Sequence, residues 1–363
     1  MKRMGQCLVL IVTFWVGVSV ADATSPRPEP DAQETLEKTV QQILREEGLL
    51  RRGRCLAFVD PHALDYRTER WFRALRRMER AQPGFVIQWI IGKRTPPAQA
   101  RSEAEDQARC LLGAMVEEAA SPDTSLHLSK RSRKPTSQQL QRRAQRFWTH
   151  RKVRDRIVER IVVSGYRNAR DQATIWKRKW RFVGRRFNRI SPEAAERCQL
   201  TAGHSWNPEH PRHIRCWRQE LDSAARQREI LVASSAPGLS RHHWGTDFDL
   251  FGLNPRQFRE QGPYADEFQW LTAHGPAHGF FQPYSGEVDR KGYMEERWHW
   301  SYHPIAQALM RFAQEHPTEL EDALQTQWQE LEKRWNRKRR RPHDYFGWIR
   351  QHWRPFVFEV ADR

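Results

Sequence analysis

The sequence lacks an apolar run long enough to cross a membrane comfortably. Its first apolar stretch, residues 8–20, is shorter than the roughly 20 residues of a spanning helix. The stretch follows Lys2 and Arg3 and precedes the small residues SVADA, which is the order of a secretory signal peptide. We therefore expect residues 1–23 to be a signal peptide and the mature chain, without a membrane span, to reach the periplasm or cell envelope. An uncleaved anchor is the alternative, and no cysteine follows the expected cleavage points, so lipid attachment is not indicated.

Cysteine is scarce, with five residues in 363. Cys7 falls within the expected signal peptide, which leaves Cys55, Cys110, Cys198 and Cys216. None of them forms a CxxC pair, which disfavours a structural zinc site. An even number of cysteines in an oxidising compartment predicts two disulfides, with free buried thiols as the alternative. Of the three possible pairings, we favour Cys55 with Cys110 and Cys198 with Cys216, because each pair brackets one local segment.

Acidic residues are fewer than basic ones, 44 Asp and Glu against 62 Lys and Arg, so the net charge is +18. Such a charge attracts polyanions: nucleic acid, anionic lipid, lipopolysaccharide or the carboxylates of cell-wall peptide. Export argues against nucleic acid. Residues 177–189 and 334–350 interleave arginine with aromatic residues, which favours attachment to anionic envelope polymers. A solvated basic helix face is the alternative interpretation of both segments.

Apolar periodicity predicts more helix than strand after a Pro-rich linker at residues 24–33. A segment rich in Ser and basic residues, 121–139, interrupts the pattern and marks a boundary. We predict helices at 36–48, 66–80, 104–120, 141–160, 172–187 and 318–331, the last begun by a capping box of Thr318 and Glu321, and strands at 54–60, 84–92, 161–167 and 248–252.

One stretch, SRHHWGTDFD, concentrates groups that could hold a metal ion. An alternating strand would point Asp247 and Asp249 to one face, and His242, seven positions before Asp249, could bring an imidazole to the same ion. Farther along, MEERWHW offers His299 as a third ligand, with Glu296 three residues before it as a base. A catalytic zinc needs three protein ligands and keeps a fourth position open for water.

Spacing alone leaves other interpretations open. In either half of this pattern, taken by itself, the histidine is more often a packed or surface residue than a metal ligand. His243 adjoins His242, and His303 follows His299 by four residues, so spacing does not select the ligands. His303, just before Pro304 at an expected helix start, is expected to be structural.

Three motifs together resemble one family. SRHHWGTDFD resembles the SxHxxGxxxD motif, ERWHW the ExxH motif, and VVSGYRNARDQ the SGYR segment followed by Gln, of the D-alanyl-D-alanine carboxypeptidase family of zinc metallopeptidases. That family includes vancomycin-resistance carboxypeptidases and dipeptidases and has murein endopeptidase relatives. The motifs occur in the family's order across residues 162–300, and the resemblance covers residues 136–317.

The resemblance implies a cofactor and a mechanism. It makes His242, Asp249 and His299 the ligands of Zn²⁺ and Glu296 the general base and acid. Arg167 would bind the substrate's peptide carbonyl or carboxylate and stabilise the developing oxyanion, a role that suits a permanently charged guanidinium.

Three further motif positions are predicted to contact substrate: Tyr166, Gln172 and Ser240. Gln172 lies five residues past Arg167 and could orient it, although a helix-surface glutamine is the alternative. Ser240 could equally form a local hydrogen bond. Gly245 is expected to permit a tight turn before the strand.

Asp247 departs from the pattern of many family members, which have a small residue there, although the murein endopeptidase branch also carries an acid. We expect it to orient His242 or His299 without binding the metal. The alternative is that Asp247 is an exposed acidic residue of the strand with no role in the site.

The resemblance also implies the architecture. We expect an α+β fold in which a small, mainly antiparallel sheet carries the zinc site and helices flank it. The predicted organisation is a signal peptide at 1–23, a mostly helical N-terminal region at 24–135, a zinc D,D-peptidase domain at 136–317 and a basic C-terminal helix and tail at 318–363.

The predicted function is hydrolysis of D,D-peptide bonds in peptidoglycan stem peptides, of the D-alanyl-D-alanine carboxypeptidase type. One alternative is a murein D,D-endopeptidase that cuts crosslinks, which Asp247 favours, and L,D or L-Ala-D-Glu bonds stay open as targets. Alternatives from other classes are a catalytically silent module that binds cell wall or polyanions and a nucleic-acid binder. Glu296 argues against a silent module, because such a module needs no base.

Overall fold

Helices form the N-terminal part of the protein. A computed structural model describes residues 30–50, 55–58, 60–121, 150–286 and 291–361, with isolated positions between 126 and 147. The expected signal peptide lies outside the described residues. The helices are α1 (Pro30–Glu46), α2 (Pro61–Ala81), α3 (Phe85–Ile90) and α4 (Ala98–Glu118), which confirms the helices predicted at 36–48, 66–80 and 104–120.

Two predicted strands in this part are wrong. Residues 84–92 contain helix α3, and residues 55–58 have no regular structure. Both runs are short and mostly apolar, and such runs fit a buried helix and a buried strand equally well. Gly84, with φ of 81°, turns the chain into α3 immediately after α2 ends.

The C-terminal part alternates short helices with short strands. Its helices are α5 (Arg151–Ile161), α6 (Ala169–Trp180), α7 (Pro192–Cys198), α8 (Pro211–Arg215), α9 (Ser223–Leu231), α10 (Ala265–His274), α11 (His303–Glu315), α12 (Pro317–Asn336), α13 (Gly347–His352) and α14 (Arg354–Phe358). Helix α6 ends at Trp180, earlier than predicted. Thr318 lies inside α12, which begins at Pro317, so the predicted capping box is wrong; proline at the first helical position starts the helix instead.

A small antiparallel sheet carries the predicted site. It consists of β1 (Val162–Ser164), β4 (Asp247–Leu250), β6 (His299–Tyr302) and β5 (Phe280–Phe281), in that spatial order. A separate pair joins β2 (Phe187–Arg189) to β3 (Ser205–Trp206). The α+β class with a helical N-terminal region is therefore confirmed. Strand β4, predicted from its alternating residues, is buried along its whole length.

One continuous hydrophobic core extends from the N-terminal helices to the C-terminal ones. Behind the sheet, Glu103 of α4 accepts hydrogen bonds from Arg67 Nη2 at 2.6 Å, from Trp71 Nε1 at 3.3 Å and from the Tyr302 hydroxyl at 3.0 Å. Because Tyr302 ends β6, this buried cluster ties two N-terminal helices to the strand that begins at His299.

Both favoured disulfides are present. Cys55 pairs with Cys110 and Cys198 with Cys216, each with Cα atoms 5.6 Å apart. Cys198 and Cys216 also lie near Glu220, but sulfurs joined in a disulfide are not the thiolates that bind metal. Within the described ranges, none of the helices combines the length and the apolar character that a membrane span needs.

Candidate active site

The three residues predicted as metal ligands lie together. The ligand atoms of His242, Asp249 and His299 are all within 4.8 Å of one another, and all three residues are buried. His242 Nε2 is 3.3 Å from Asp249 Oδ2, and His299 Nδ1 is 3.0 Å from Asp249 Oδ1. Two imidazole nitrogens and a carboxylate therefore face one point, as a three-ligand metal site requires.

Local backbone structure explains this convergence. His242 lies on a 3₁₀ turn that ends at Gly245, whose φ is 76°. A Cβ atom at Gly245 would meet Arg101 Cγ at 2.8 Å, so the turn requires glycine on two grounds. The chain then enters β4, whose antiparallel register sets Asp249 directly opposite His299 on β6.

In both His242 and His299, the outer ring nitrogen, which points away from the ligand group, is held by a hydrogen bond. His242 Nδ1 lies 2.8 Å from the carbonyl oxygen of Gly165 and must donate a hydrogen bond to it. In the neutral ring, Nε2 then carries no proton, and its lone pair is available to bind a metal. His299 Nε2 lies 2.9 Å from Asp247 Oδ1, so its Nδ1 faces Asp249. Burial would lower the pKa of His299, but hydrogen bonds to Asp247 and Asp249 raise it to about 9. A metal ion would therefore have to displace a proton from this imidazole.

Asp247 contacts His299 and not His242, and it is fully buried. Arg241, which the sequence analysis missed, donates to Asp247 Oδ1 from Nε at 2.9 Å and to the Ser301 hydroxyl from Nη2 at 2.7 Å. Burial would raise the pKa of Asp247, but the Arg241 charge and the His299 hydrogen bond hold it well below its usual range. Two signals could have revealed Arg241: it stands beside His242 in the motif, and a buried aspartate needs a counter-charge.

His243 has a different role from its neighbour. Its Nδ1 lies 2.7 Å from the carbonyl oxygen of Arg167, and its Nε2 accepts from the backbone N–H of Gly238 at 3.2 Å. Burial lowers the pKa of His243 to about 3, which keeps the ring neutral. Since both nitrogens have backbone partners, His243 is not available to a metal. His303 begins α11 and packs on Phe281, outside the ligand group.

Glu296 lies at the edge of the ligand group. Its Oε2 is 3.7 Å from His299 Nδ1, and its side chain is 13% exposed, more than any of the three ligand residues. Burial raises the pKa of Glu296 to about 7; Asp249 adds to the shift, and His299 opposes it. A carboxyl group with such a pKa can both accept and release a proton near neutral pH.

Arg167 projects toward the ligand group from the turn after β1. Its Nη2 is 3.9 Å from Asp249 Oδ2, and its side chain is 26% exposed, so it is partly accessible to solvent. Gln172 Oε1 accepts from Arg167 Nη1 at 3.2 Å, and Gln172 Nε2 donates to the carbonyl oxygen of Ser235 at 2.6 Å. The structure therefore places Gln172 where it orients Arg167, and Gln172 is buried, not exposed on the helix surface.

Tyr166 and Ser240 lie farther from this group. The Tyr166 ring lies under the Arg101 guanidinium, 5.1 Å from its centroid. Ser240 is buried just before the turn of His242, and its carbonyl accepts from the backbone N–H of His243. Among the described residues, no hydrogen bond joins either side chain to the three ligand residues.

Tyr284 was not predicted at all. Its ring lies 4.8 Å from the ring of His299, and its carbonyl accepts from the backbone N–H of Glu296 at 3.0 Å. It therefore holds both residues from one side. No motif contains Tyr284, so only the fold reveals this contact.

A buried His, Asp, His group beside a carboxyl group of raised pKa and a fixed arginine is the arrangement of a metal-dependent hydrolase. Residues 133–305 match the family model described as D-alanyl-D-alanine carboxypeptidase, and this segment contains the whole group. The protein belongs to that family and is a carboxypeptidase-like peptidoglycan hydrolase. An uncharacterized protein of Haemophilus influenzae is 31% identical over 88 residues, which cover 21% of this chain and 67% of that protein. No solved structure matches the chain.

Proposed function

We propose that this protein is an exported zinc peptidase that removes the terminal D-alanine from peptidoglycan stem peptides by cleaving the D-alanyl-D-alanine bond. The observation that carries the proposal is the convergence of His242, Asp249 and His299 with Glu296 3.7 Å from the His299 ring. Two disulfides support export, because such bonds persist in oxidising compartments.

The three ligand residues fit zinc. Neutral imidazole nitrogens and a carboxylate oxygen are ordinary zinc donors, and three of them leave a position for water. His242 and His299 have their outer nitrogens fixed by Gly165 and Asp247, the kind of support that zinc-bound histidines generally have. We therefore assign His242 Nε2, Asp249 and His299 Nδ1 as the atoms that would hold the ion.

The remaining residues supply proton transfer and charge stabilisation. Bound zinc polarises a carbonyl group and lowers the pKa of water to about 7. Glu296 accepts the proton of the attacking water and passes it to the leaving amine, which its pKa near 7 permits. Arg167, held by Gln172, faces the developing oxyanion with its Nη groups. We assign Tyr166 and Ser240 to the walls of the substrate site.

The peptidase domain is proposed to comprise residues 136–317, with the N-terminal region and the C-terminal tail packed around it. The basic segments 177–189 and 334–350 would attach the enzyme to anionic envelope polymers. Several arginines in these segments are exposed, which supports such contact.

The test is to incubate the purified protein with intact muropeptides, with a chelator and after zinc addition, and to identify the products by mass spectrometry. Zinc-dependent loss of one terminal alanine is the expected result. Conversion of crosslinked dimers to monomers would instead identify an endopeptidase, and cleavage elsewhere an L,D or L-Ala-D-Glu specificity. If no muropeptide changed in zinc, the catalytically silent binding module would replace the proposal.

A substitution separates catalysis from binding. Glu296→Ala should lower kcat by about 100- to 10,000-fold, the usual contribution of a general base, and leave the zinc content at the wild-type value. Glu295→Ala is the matched control, because the adjacent Glu295 pairs only with Arg297 in the described structure. A Glu296→Ala enzyme that cleaved at the wild-type rate would show the assigned mechanism to be wrong.

A further inference from the structure

Lys179 is a buried lysine that the mechanism above does not use. It lies on α6, and the whole residue is 7% exposed. Its ammonium group donates to Asn188 Oδ1 at 2.6 Å and to the hydroxyl of Ser234. The Asn188 amide in turn donates to the carbonyl oxygens of Glu229 and Ile230, which fixes its own oxygen toward the ammonium. The position of Lys179 Nζ is therefore well defined.

This ammonium has no counter-ion. Both of its partners are neutral, and no carboxylate lies within 4.0 Å of it in the part of the chain that the structure describes. Burial lowers the pKa of Lys179 to about 7, repulsion from Arg178 adds to the effect, and attraction to Glu296 opposes it. Buried charges in proteins are normally paired. An ammonium kept inside with neutral partners and no counter-charge is costly for stability and suggests a role in binding.

A strip of polar groups connects Lys179 to the active site. Gln172 and Lys179 lie seven residues apart, so they face the same side of α6 about 10 Å apart along its axis. The loop of Ser234 and Ser235 runs along this side: Gln172 bonds to Ser235, and Lys179 bonds to Ser234. Since Gln172 also holds Arg167, the strip begins at the arginine of the active site and ends at the lysine.

The ammonium also has unused capacity. Lys179 carries three N–H donors and uses two in the described structure. Ser234 and Asn188 are only partly buried, so a ligand can approach from their side. A carboxylate placed there would receive a charge-assisted hydrogen bond from the third donor and neutralise the buried charge.

We propose that Lys179, Asn188 and Ser234 form a carboxylate-binding subsite at the far end of this strip, which holds an anionic carboxylate of the stem peptide while the scissile bond lies at the ligand group. The subsite rests on the proposed peptidase function and deepens it, because it assigns an acidic substrate. The carboxylate comes either from the C-terminus of the peptide or from a side chain elsewhere in the stem.

The test compares Lys179→Met with wild type on three peptides that end in D-alanyl-D-alanine: the free acid, its C-terminal amide, and the free acid with its side-chain carboxylate amidated. Lys179→Met should raise KM for the free acid by about 10- to 100-fold, the usual value of a hydrogen bond to a charged group, and change kcat by less than about threefold. Lys177→Met, two residues away on the same helix, is the control and should behave as wild type.

The peptides identify the source of the carboxylate. If the KM difference disappears on the C-terminal amide, the subsite holds the terminal carboxylate. If it disappears only on the side-chain amide, the subsite holds the side chain. Either outcome supports the subsite. An unchanged KM on all three peptides, or a fall in kcat alone together with loss of zinc, would overturn it.

A second variant covers the case in which Lys179→Met does not fold. Ser234→Asp places a carboxylate beside the ammonium from a partly exposed loop, so it should compete with the substrate and weaken binding of the free acid at least about tenfold. Calorimetric titration of the free acid and the amides into wild type and Ser234→Asp measures this without catalysis. Equal affinities for the acid in both proteins would refute the subsite. Absence of hydrolysis by wild type would count against the proposed function alone.

Discussion

Replacing Asp247 by asparagine tests the buried group behind the proposed metal ligands. Asp247 accepts from His299 Nε2, from Arg241 Nε and from the Thr246 hydroxyl, and none of its surface is exposed. Asparagine has almost the same shape but no charge, and one of its two terminal atoms is a donor. The change therefore removes the counter-charge of Arg241 and one acceptor without opening a cavity.

Two separate effects follow, each with its own size. Arg241 is 3% exposed, so it stays buried after its partner is lost. Removing one member of a buried ion pair costs about 3–5 kcal/mol, and because the amide oxygen can still accept one hydrogen bond, we expect about 2–3 kcal/mol. His299 also loses the carboxylate that orients its ring, and changes of this kind weaken metal binding by about 10- to 100-fold.

Urea unfolding of the metal-free protein measures the first effect, and competition with a zinc chelator measures the second. Asp322→Asn, at an exposed position on α12, is the control and should change neither quantity. If Asp247→Asn unfolded at the wild-type urea concentration and bound zinc with wild-type affinity, the ion pair with Arg241 and the support of His299 would both be refuted.

Three further predictions concern buried groups around the site. The pKa of Lys179 falls from 10.5 to about 7 on folding, so the unfolded chain binds more protons between these values. The free energy of unfolding of wild type, relative to that of Lys179→Met, should therefore rise by about 2–3 kcal/mol from pH 6 to pH 9. Urea unfolding that gave the same difference between the two proteins at pH 6 and at pH 9 would contradict this. Glu103→Ala leaves Arg67 buried without a counter-charge and should cost about 3–5 kcal/mol in the same assay, and an unchanged midpoint would argue against the buried pair. His243→Ala removes the ring that holds the Arg167 carbonyl and should lower kcat/KM about tenfold at unchanged zinc content; loss of zinc would instead make His243 a ligand.

The motifs predicted which side chains meet, but not how they are held. Asp249 and His299 are far apart in sequence, and the family's pattern nevertheless brought them together correctly. His299 Nδ1, and not Nε2, is the proposed metal-binding atom because Asp247 is hydrogen-bonded to Nε2, and no sequence spacing reveals that contact. Arg241 and Lys179 were not predicted as buried residues, because arginine and lysine are usually exposed, and only the packing of the folded chain shows that these two are buried.

The fold was predictable where a segment has one buried and one exposed side. Helix α2 has a buried and an exposed side and was predicted on this basis. Strand β4 was predicted from the alternation of its residue types, although it is buried along its whole length. Residues 84–92 are apolar except for Gln88 and became helix α3, because most of the run is buried and either conformation would have buried it. The buried contacts of Glu103 with Tyr302 join residues about 200 positions apart, and a single sequence carries no signal for such a pair.

The cluster around Glu103 also gives the peptidase a second point of vulnerability. Tyr302 lies on the same four-residue strand as His299, and the helices that hold its hydroxyl are outside the segment that the family shares. A small molecule that wedged between α4 and β6 would displace this strand without competing with substrate and without chelating metal. Because α2 and α4 precede the shared segment, such an inhibitor would discriminate between this enzyme and family members that lack these helices.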